Sequence, residues 1–154
     1  MTHPHRRICR QSAGLVVIDI QERLLPAVHQ KERVVQNALV LIRGFQALGR
    51  PILVTEQYRH GLGLTVPEVA SALDGIRAAE KLTFSAAGVP EFEAARSASG
   101  ATDLVLCGIE AHVCVCQTGL DLLARGLRVF VAADAVSSRT PENWRAGVER
   151  IRDA

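Results

Sequence analysis

Several patterns that would indicate a membrane, secreted or nucleic-acid-binding protein are missing from this 154-residue sequence. No uninterrupted apolar run approaches the ~20 residues of a membrane-spanning helix. The first residues, MTHPHRRICRQSAG, lack the apolar stretch of a secretory signal. Acidic and basic residues are mixed along the chain and leave a formal net charge of +2, so neither nucleic acid nor a membrane is expected as a partner. We therefore expect a soluble, cytoplasmic protein.

The motifs of several kinds of enzyme are missing as well. The segment IDIQERLLP has no glycine and so lacks the Gly-x-Gly-x-x-Gly turn of a dinucleotide site. The hydrolase elbow Gly-x-Ser-x-Gly is absent. The four cysteines include no Cys-x-x-Cys redox pair, and one Cys-x-Cys without a second pair matches a four-ligand zinc site poorly. In a reducing compartment they are not expected to form disulfides, and we expect no cofactor and no metal.

What the sequence does contain is an alternation of apolar runs with segments of helical periodicity. GLVVIDIQ, RPILVTE, TDLVLCGI and LRVFVAADA are typical of strands buried on both faces. Apolar residues recur at helical spacing from Val34 to Leu48, and Thr140 with Pro141 indicates the start of a last helix. This alternation predicts an α/β fold in a single domain: a Rossmann-like parallel sheet flanked by helices on both faces, in three α/β/α layers.

The pattern also gives approximate boundaries within the chain. Residues 1–13 are expected to form an N-terminal tail, with the basic run from His5 to Arg7 in solvent, and residues 14–154 to form the domain. The stretch YRHGLGLTVPE is predicted to be a loop because it carries two glycines and a proline. EKLTFSA is predicted to hold a brief strand or turn.

Three residues with chemical potential follow strands or connecting segments. Open parallel sheets bind ligands beyond the carboxyl ends of their strands, where the strand order reverses. Asp19 stands at the end of the first strand, Cys114 at the start of the helix after TDLVLCGI, and Lys81 in the short segment between them. Each alone has an ordinary explanation, as a capping acid, a surface lysine or a packing cysteine. Together, an acid, a cation and a thiol could converge on one crevice.

The segment GIEAHVCVCQTG and its upstream neighbour offer three cysteines for a nucleophile. Cys114 lies within the first turn of the predicted helix, where unpaired amides and the helix dipole are expected to lower the pKa of a thiol and to hold an oxyanion. Cys116 lies about 200° further around the helix and so points elsewhere. Cys107 lies within the strand and is expected in the core. We therefore predict one nucleophile, Cys114, and two packing cysteines.

These residues carry a resemblance to the isochorismatase-like (cysteine hydrolase) superfamily. The similar pieces are LVVIDIQERLLP, EKLTFSA, GIEAHVCVCQTGLDLLARG and VFVAADAVSSRT, in order and over most of the chain, and TEQYRHGLGLTVPE resembles the isochorismatase domain-containing subgroup. The resemblance implies a hydrolase of amidase type, acting on C–N bonds other than peptide bonds. It implies that Asp19 is the general base, Lys81 a charge-stabilising lysine and Cys114 the nucleophile that forms a covalent intermediate.

The resemblance also implies the surroundings of the thiol. It implies a cis peptide at Ile109-Glu110, in a turn that aims the amides of Glu110 and Cys114 at the oxyanion. Residues neighbouring the triad positions are expected to contact the substrate: Gln21, Tyr58, His60 and Phe84.

The chain departs from the family pattern at three places. Ala111 stands where the family often has threonine. The segment from Glu56 to His60 replaces the Asp-x-His arrangement of metal-binding nicotinamidases, so His60 is expected to be a loop residue or a substrate contact rather than a metal ligand. The family usually continues with another strand and helix beyond Ala154. Their absence would expose the strand around Val129 to Val131, and we expect a homo-oligomer, a dimer or higher, at this edge.

These inferences lead to a metal-independent cysteine hydrolase acting on a small amide or related substrate. The alternative is a catalytically silent family member that serves as an oligomeric scaffold or interaction protein. Retention of Asp19 and Lys81 favours an enzyme, because burying two charged groups without a function would be costly.

Overall fold

The computed structural model describes residues 7–154. The first six residues of the expected tail, with His5 and Arg6 of its basic run, lie outside the described residues. No helix among the described residues is long and apolar enough to cross a membrane.

The described residues form one parallel sheet with the spatial order β3-β2-β1-β4-β5. Every neighbouring pair of strands in this order is parallel. β1, the central strand, and its neighbour β4 are buried along their whole length, as their apolar sequences predict. The strands are β1 (Ala13–Ile18), β2 (Ile52–Gln57), β3 (Ala79–Lys81), β4 (Asp103–Ile109) and β5 (Arg128–Ser137).

Helices cover both faces of this sheet, which confirms the predicted three-layer α/β/α fold. Alternate residues of β1 point to opposite faces: Leu15 and Val17 pack with α1 and α3, whereas Val16 and Ile18 pack with α4, α5 and α6. The helices are α1 (Lys31–Ala47), α2 (Arg59–Leu62), α3 (Pro67–Leu73), α4 (Pro90–Ser99), α5 (Cys116–Ala124) and α6 (Pro141–Arg152), with 3-10 turns at Arg10–Ser12 and Leu25–Ala27.

Two local features show how closely the sequence signals match the structure. The last helix begins where predicted, because Thr140 Oγ1 accepts a hydrogen bond of 3.2 Å from the amide of Asn143. The stretch predicted to be a loop after β2 instead contains the short helix α2. Gly61 lies within α2, and a Cβ atom at this position would be 2.2 Å from the ring of Tyr58. The glycine therefore makes room for the tyrosine ring against α2.

The strand order reverses between β1 and β4, which creates the expected crevice at their carboxyl ends. Gly108 of β4 has φ +121°, and a Cβ atom there would lie 2.0 Å from the carbonyl oxygen of Ile18. Only glycine fits this approach of the two backbones. The residues that follow β1 and β4, Asp19 and Glu110, are consequently placed beside the same crevice.

Candidate active site

The structure brings the carboxylate and the ammonium of the predicted triad into contact. Asp19 directly follows β1 in a left-handed conformation with φ 52°. Lys81 is the last residue of β3, and its side chain crosses the end of β2 to place Nζ 2.6 Å from Asp19 Oδ2. Asp19, Lys81 and Cys114 are 0%, 2% and 6% exposed. All three groups thus lie in a site that is almost closed to solvent.

The two carboxylate oxygens of Asp19 are in different situations. Thr55 of β2 donates its hydroxyl to Oδ1 at 2.7 Å. Oδ2 is paired with the Lys81 ammonium, and no other donor among residues 7–154 hydrogen-bonds to it. One oxygen therefore fixes the side chain, and the other keeps a lone pair that can accept a proton.

The ammonium of Lys81 has three neighbouring acceptors. Besides the Asp19 carboxylate, Nζ donates to Gln57 Oε1 at 2.6 Å and to the carbonyl oxygen of Thr83 at 3.3 Å. A buried ammonium is stable only where its charge and its three donors are matched in this way. Sequence reasoning missed Gln57, Thr55 and Thr83 as members of the site, because only the register of the sheet shows that they meet Asp19 and Lys81.

The pKa of Cys114 differs from the sequence-based expectation. Burial first, and then the Asp19 carboxylate, raise the pKa of this thiol to about 12, while the Lys81 ammonium opposes the change. The predicted lowering is therefore wrong, because the burial of Cys114, in a π-helical turn (Ala111–Val115) that precedes α5, outweighs any effect of a helix start. The resting site therefore holds a neutral thiol beside a proton acceptor.

The remaining cysteines have different surroundings. Cys107 is fully buried in β4, and burial raises its pKa to about 12. Burial also raises the pKa of Cys116, while Arg150 of α6 opposes the change. Cys9 is exposed, and hydrogen bonds from Gln11 and Ser12 lower its pKa. The sequence analysis did not single out Cys9, although its place before the first strand was the available signal that it reaches solvent.

The side chain of Gln21 is not accessible to a substrate. It is fully buried, and its Nε2 donates to the carbonyl oxygens of Gln57 at 2.9 Å and Gly63 at 2.7 Å. Its Oε1 accepts from the amide of Gln57 at 2.6 Å. These contacts use the polar atoms of the side chain and favour a role in fixing the end of β2 and the following loop.

The other expected substrate contacts lie at the surface near the Lys81 network. Tyr58 follows Gln57 and Phe84 follows Thr83, and both rings are about half exposed. The ring of Tyr58 packs edge-on against that of His60, with centroids 6.1 Å apart. Two further exposed apolar side chains, Leu64 and Leu82, belong to the same loops and were not predicted. We call these apolar residues, Tyr58, Leu64, Leu82 and Phe84, the rim.

The turn that carries Cys114 is fixed from outside by α6 and the end of β5. The Ile109-Glu110 peptide bond is cis. Glu110 Oε1 accepts from Arg139 Nε at 2.8 Å, and His112 Nδ1 lies 2.9 Å from the hydroxyl of Ser138. A Cβ atom at Gly147 of α6 would lie 2.4 Å from the carbonyl oxygen of Ala111. The absent side chain at Gly147 thus allows α6 to pack directly on the turn.

The segment in place of the nicotinamidase metal ligands forms an ion pair. Both the amide and the hydroxyl of Thr65 donate to Glu56 Oε1 at 2.7 Å, and Arg59 Nε donates to Oε2. Burial opposes ionisation of Glu56, but the Thr65 and Arg59 donors outweigh it and lower its pKa. Among residues 7–154, no three His, Cys, Asp or Glu side chains are grouped to hold a metal ion.

A cavity in the described part of the chain does not coincide with these groups. About 600 Å³ opens along the side of β2 that the short strand β3 leaves uncovered, between Ile52 and Phe92. None of Asp19, Lys81 and Cys114 lines it. The triad residues are therefore reached at the small exposed part of Cys114 and not through this cavity.

The fold is a doubly wound parallel sheet, and a buried carboxylate, ammonium and thiol lie at its switch point. The protein is thus of an α/β class with hydrolase-like architecture. The chain belongs to the isochorismatase family: the family model described as Isochorismatase domain matches residues 13–154. This confirms the resemblance inferred from the sequence motifs.

Three similar proteins place the chain within this family. Isochorismatase domain-containing protein 2 from Danio rerio is 36% identical, over 96% of this chain and 74% of that protein. A protein from Phytophthora sojae named secreted isochorismatase effector Isc1 is 37% identical, over 96% and 72%. A solved structure from Caenorhabditis elegans, titled MAR1 ribonuclease, is 36% identical with a TM-score of 0.89, over 96% and 76% of the two chains.

Proposed function

We propose that this protein is a cysteine hydrolase that cleaves a small amide or a related carbonyl substrate through a covalent thioester on Cys114. The observation that supports it most directly is the pairing of a neutral thiol with Asp19, whose Oδ2 has an unused lone pair beside the Lys81 ammonium. A nucleophile, a base and a fixed cation in one water-poor site are the elements of covalent acyl transfer.

The proposed reaction begins with attack of Cys114 Sγ on the substrate carbonyl carbon. The S–C bond forms as the thiol proton passes to Asp19, and the proton then passes to the leaving nitrogen as the C–N bond breaks. Water attacks the resulting thioester, gives a proton to Asp19 and releases the acid, while the departing sulfur takes that proton. The sum is amide plus water giving acid plus amine, and the three side chains return to their starting states.

The Lys81 ammonium and two amides are proposed to stabilise the charges of this reaction. Lys81 compensates the carboxylate of Asp19 before the proton moves and remains in the site when Asp19 is neutral. The amides of Glu110 and Cys114, in the turn after Ile109, are the proposed donors to the oxyanion. The rim and His60 are proposed to contact the rest of the substrate, which favours small molecules with an apolar part.

A panel of small amides and esters, read by release of product, tests the proposal. The expected result is turnover of at least one compound, with Cys114→Ala reducing kcat by on the order of 10⁴-fold. Cys116→Ser and Cys107→Ser are the matched controls and are expected to retain most of the activity. Mass spectrometry of a quenched reaction should find the acyl group on the peptide that carries Cys114. Equal loss in a folded Cys116→Ser protein would mean that the wrong sulfur is assigned.

RNA cleavage is a second candidate, supported by the 36% identity with the structure titled MAR1 ribonuclease. The mixed charge and the buried thiol favour a small amide instead, and absence of nucleic acid as a partner stays a prediction. An RNA substrate with its 2′-hydroxyls intact belongs in the same panel. RNA cleavage that survives in Cys114→Ala would favour a reaction other than the one proposed.

The catalytically silent alternative predicts assembly without turnover. β5 is an edge of the sheet in the described residues, and Val129 and Val131 are only partly buried there. This supports the expectation of a homo-oligomer at that edge. Light scattering measures the assembly, and the substrate panel measures turnover. An oligomer that is inactive on every compound and is not alkylated at Cys114 would support the scaffold.

The cytoplasmic location stays a prediction, to be tested by imaging.

A further inference from the structure

We propose that Gln57 is a positioning residue that holds the Lys81 ammonium beside Asp19 as a neutral acceptor. The inference rests on the proposed cysteine hydrolase reaction and deepens it. Gln57 is the last residue of β2 and is paired in register with Lys81 of β3. Its Oε1 accepts a hydrogen bond of 2.6 Å from Lys81 Nζ, as close as the contact of Nζ with Asp19 Oδ2.

The orientation of the Gln57 amide is fixed from several sides. Its Nε2 donates to the carbonyl oxygen of Leu82 at 3.2 Å, which directs Oε1 toward Lys81. The backbone amide and carbonyl of Gln57 are both bonded to the buried side chain of Gln21, at 2.6 and 2.9 Å. Gln57 is therefore held by contacts that do not involve the substrate, as a residue that positions another group should be.

The acceptor at this place must be neutral if the site is to keep one proton acceptor. Asp19 and Lys81 balance each other in charge, and the side chain of each is 0% exposed. A second carboxylate beside the same ammonium would repel the charge on Asp19 and compete with it for Lys81. An amide oxygen offers Lys81 the same hydrogen bond without that charge.

Other titratable groups near this cluster are already paired. The Cys114 thiol lies beside Asp19 and Lys81, and it is the group whose reactivity reports on them. The carboxylates of the neighbouring strands and the crevice have their own cations: Glu56 and Glu80 face Arg59, and Glu110 faces Arg139 and His112. A change at position 57 should therefore be felt first by Asp19, Lys81 and Cys114.

The test compares Gln57→Glu, which keeps the shape and the acceptor but adds a charge and loses the donor to Leu82, with Gln57→Leu, which removes both the acceptor and that donor. Gln46→Leu is the control, because Gln46 is an exposed glutamine of α1 whose side-chain amide donates to the carbonyl oxygen of Ala72, far from Lys81 in the sequence. All variants are made in a Cys9→Ser background, since the exposed thiol of Cys9 would otherwise react with the probe. Thermal melting shows which variants are folded.

Two pH profiles are measured for each folded variant: kcat/KM on the substrate identified in the panel, and the rate of alkylation of Cys114 by iodoacetamide. We expect Gln57→Glu to move the acid limb of the kcat/KM profile upward by about one pH unit or more, and to slow alkylation at neutral pH. Gln57→Leu should lower kcat by about 10-fold or more without a matching rise in KM. Gln46→Leu should match the parent protein in both profiles.

The possible failures are distinguishable. If Cys114→Ala retains turnover, the proposed function is wrong whatever Gln57 does. If Cys114→Ala is inactive and the profiles of Gln57→Glu coincide with those of the parent, only the role of Gln57 is overturned. If Gln57→Leu does not fold, Gln57→Glu decides by the same comparison, because its side chain has the same size.

Discussion

The two ends of the sheet each hold a fully buried aspartate, and the two differ in what surrounds them. Asp103 begins β4 at the amino end, where Arg128 Nε donates to Oδ1 at 2.7 Å and the Cys9 amide donates to Oδ2 at 2.9 Å. Asp19 follows β1 at the carboxyl end, with Thr55 on Oδ1 and no aligned donor on Oδ2 in the described part of the chain. Both oxygens of Asp103 accept directed hydrogen bonds, whereas Oδ2 of Asp19 has only the Lys81 ammonium beside it and keeps a lone pair for a proton.

The cations differ in the same way. The Arg128 side chain is 49% exposed, so its charge remains hydrated, and its guanidinium matches the carboxylate with two donors. The Lys81 side chain is 0% exposed and depends wholly on its protein acceptors. The first pair ties the N-terminal segment and β5 to β4. The second pair keeps a charge and a proton acceptor beside a thiol. Burying such groups costs free energy of folding, and arrangements of this kind are concentrated at functional sites.

The largest expected effect comes from neutralising the two aspartates in turn. Asp19→Asn should lower kcat by ~10²–10⁴-fold, because an amide cannot accept the thiol proton. Asp103→Asn should leave kcat close to that of the parent, since its contacts lie at the opposite end of the sheet. Rates per folded molecule, with a melting curve for each variant, give the measurement. Parent-like turnover in Asp19→Asn would refute the assignment of the base.

The next comparison uses two glycines at the two ends, both with positive φ. Gly100 (φ +67°) precedes β4 and has open space where a Cβ would lie, whereas a Cβ at Gly108 would collide with Ile18. Gly100→Ala should cost about 1–2 kcal/mol of unfolding free energy, the cost of the left-handed conformation alone. Gly108→Ala should cost more than about 3 kcal/mol, because the central strands must separate.

Denaturant unfolding of both alanine variants measures these costs. Equal costs would mean that the approach of β1 and β4 at the crevice adjusts without difficulty. In that case, the position of Asp19 relative to Glu110 would not depend on Gly108.

The same contrast explains what could be read from the sequence. GLVVID and TDLVLCGI predicted the central strands because a strand covered on both faces needs apolar residues at every position. Thr140 predicted the start of α6 because a capping bond is formed between residues close in sequence. Asp19, Lys81 and Cys114 were singled out from strand ends and family motifs, and the contact of Asp19 with Lys81 followed in the structure.

The rest of the site depends on contacts that no local pattern encodes. Gln57 meets Lys81 only because β2 and β3 are paired in one particular register. The pKa of Cys114 was predicted in the wrong direction because the sequence shows a helix start but not the depth of burial. The exposed position of Leu82 in the rim likewise depends on how the loop after β3 is tied to α5, where Thr118 Oγ1 accepts from the amide of Ala86 at 3.0 Å.

Lowering the pH is expected to have a smaller effect, which concerns Asp103 and appears in the free energy of unfolding rather than in the rate. Burial opposes ionisation of Asp103, but the Cys9 amide and Arg128 outweigh it, so its pKa is below the ordinary value of 3.8. A lowered pKa contributes stability that is complete above the ordinary value and is lost as the pH falls through the folded value.

The contribution of Asp103 is measured by comparing the parent with Asp103→Asn across this range. Above about pH 4 the parent should be more stable by about 1–2 kcal/mol, since its half-exposed arginine is partly screened. The difference should shrink as the pH falls further below that value. A difference independent of pH would contradict a lowered pKa at Asp103.

The smallest expected effect concerns Glu56, a carboxylate at the active-site end that is nevertheless partnered like Asp103. Thr65 donates twice to one of its oxygens and Arg59 to the other, so a divalent ion would have to displace a guanidinium to bind there. His60, the nearby imidazole, is exposed in α2 and packs on Tyr58 instead of joining Glu56. Dialysis against a chelator should therefore leave kcat unchanged, and elemental analysis should find no stoichiometric metal. Added zinc or manganese should not raise turnover. Activity that is lost to the chelator and restored by one of these ions would mean that the Glu56–Arg59 pair opens in solution. Glu56 would then differ from Asp103, whose partners stay in place.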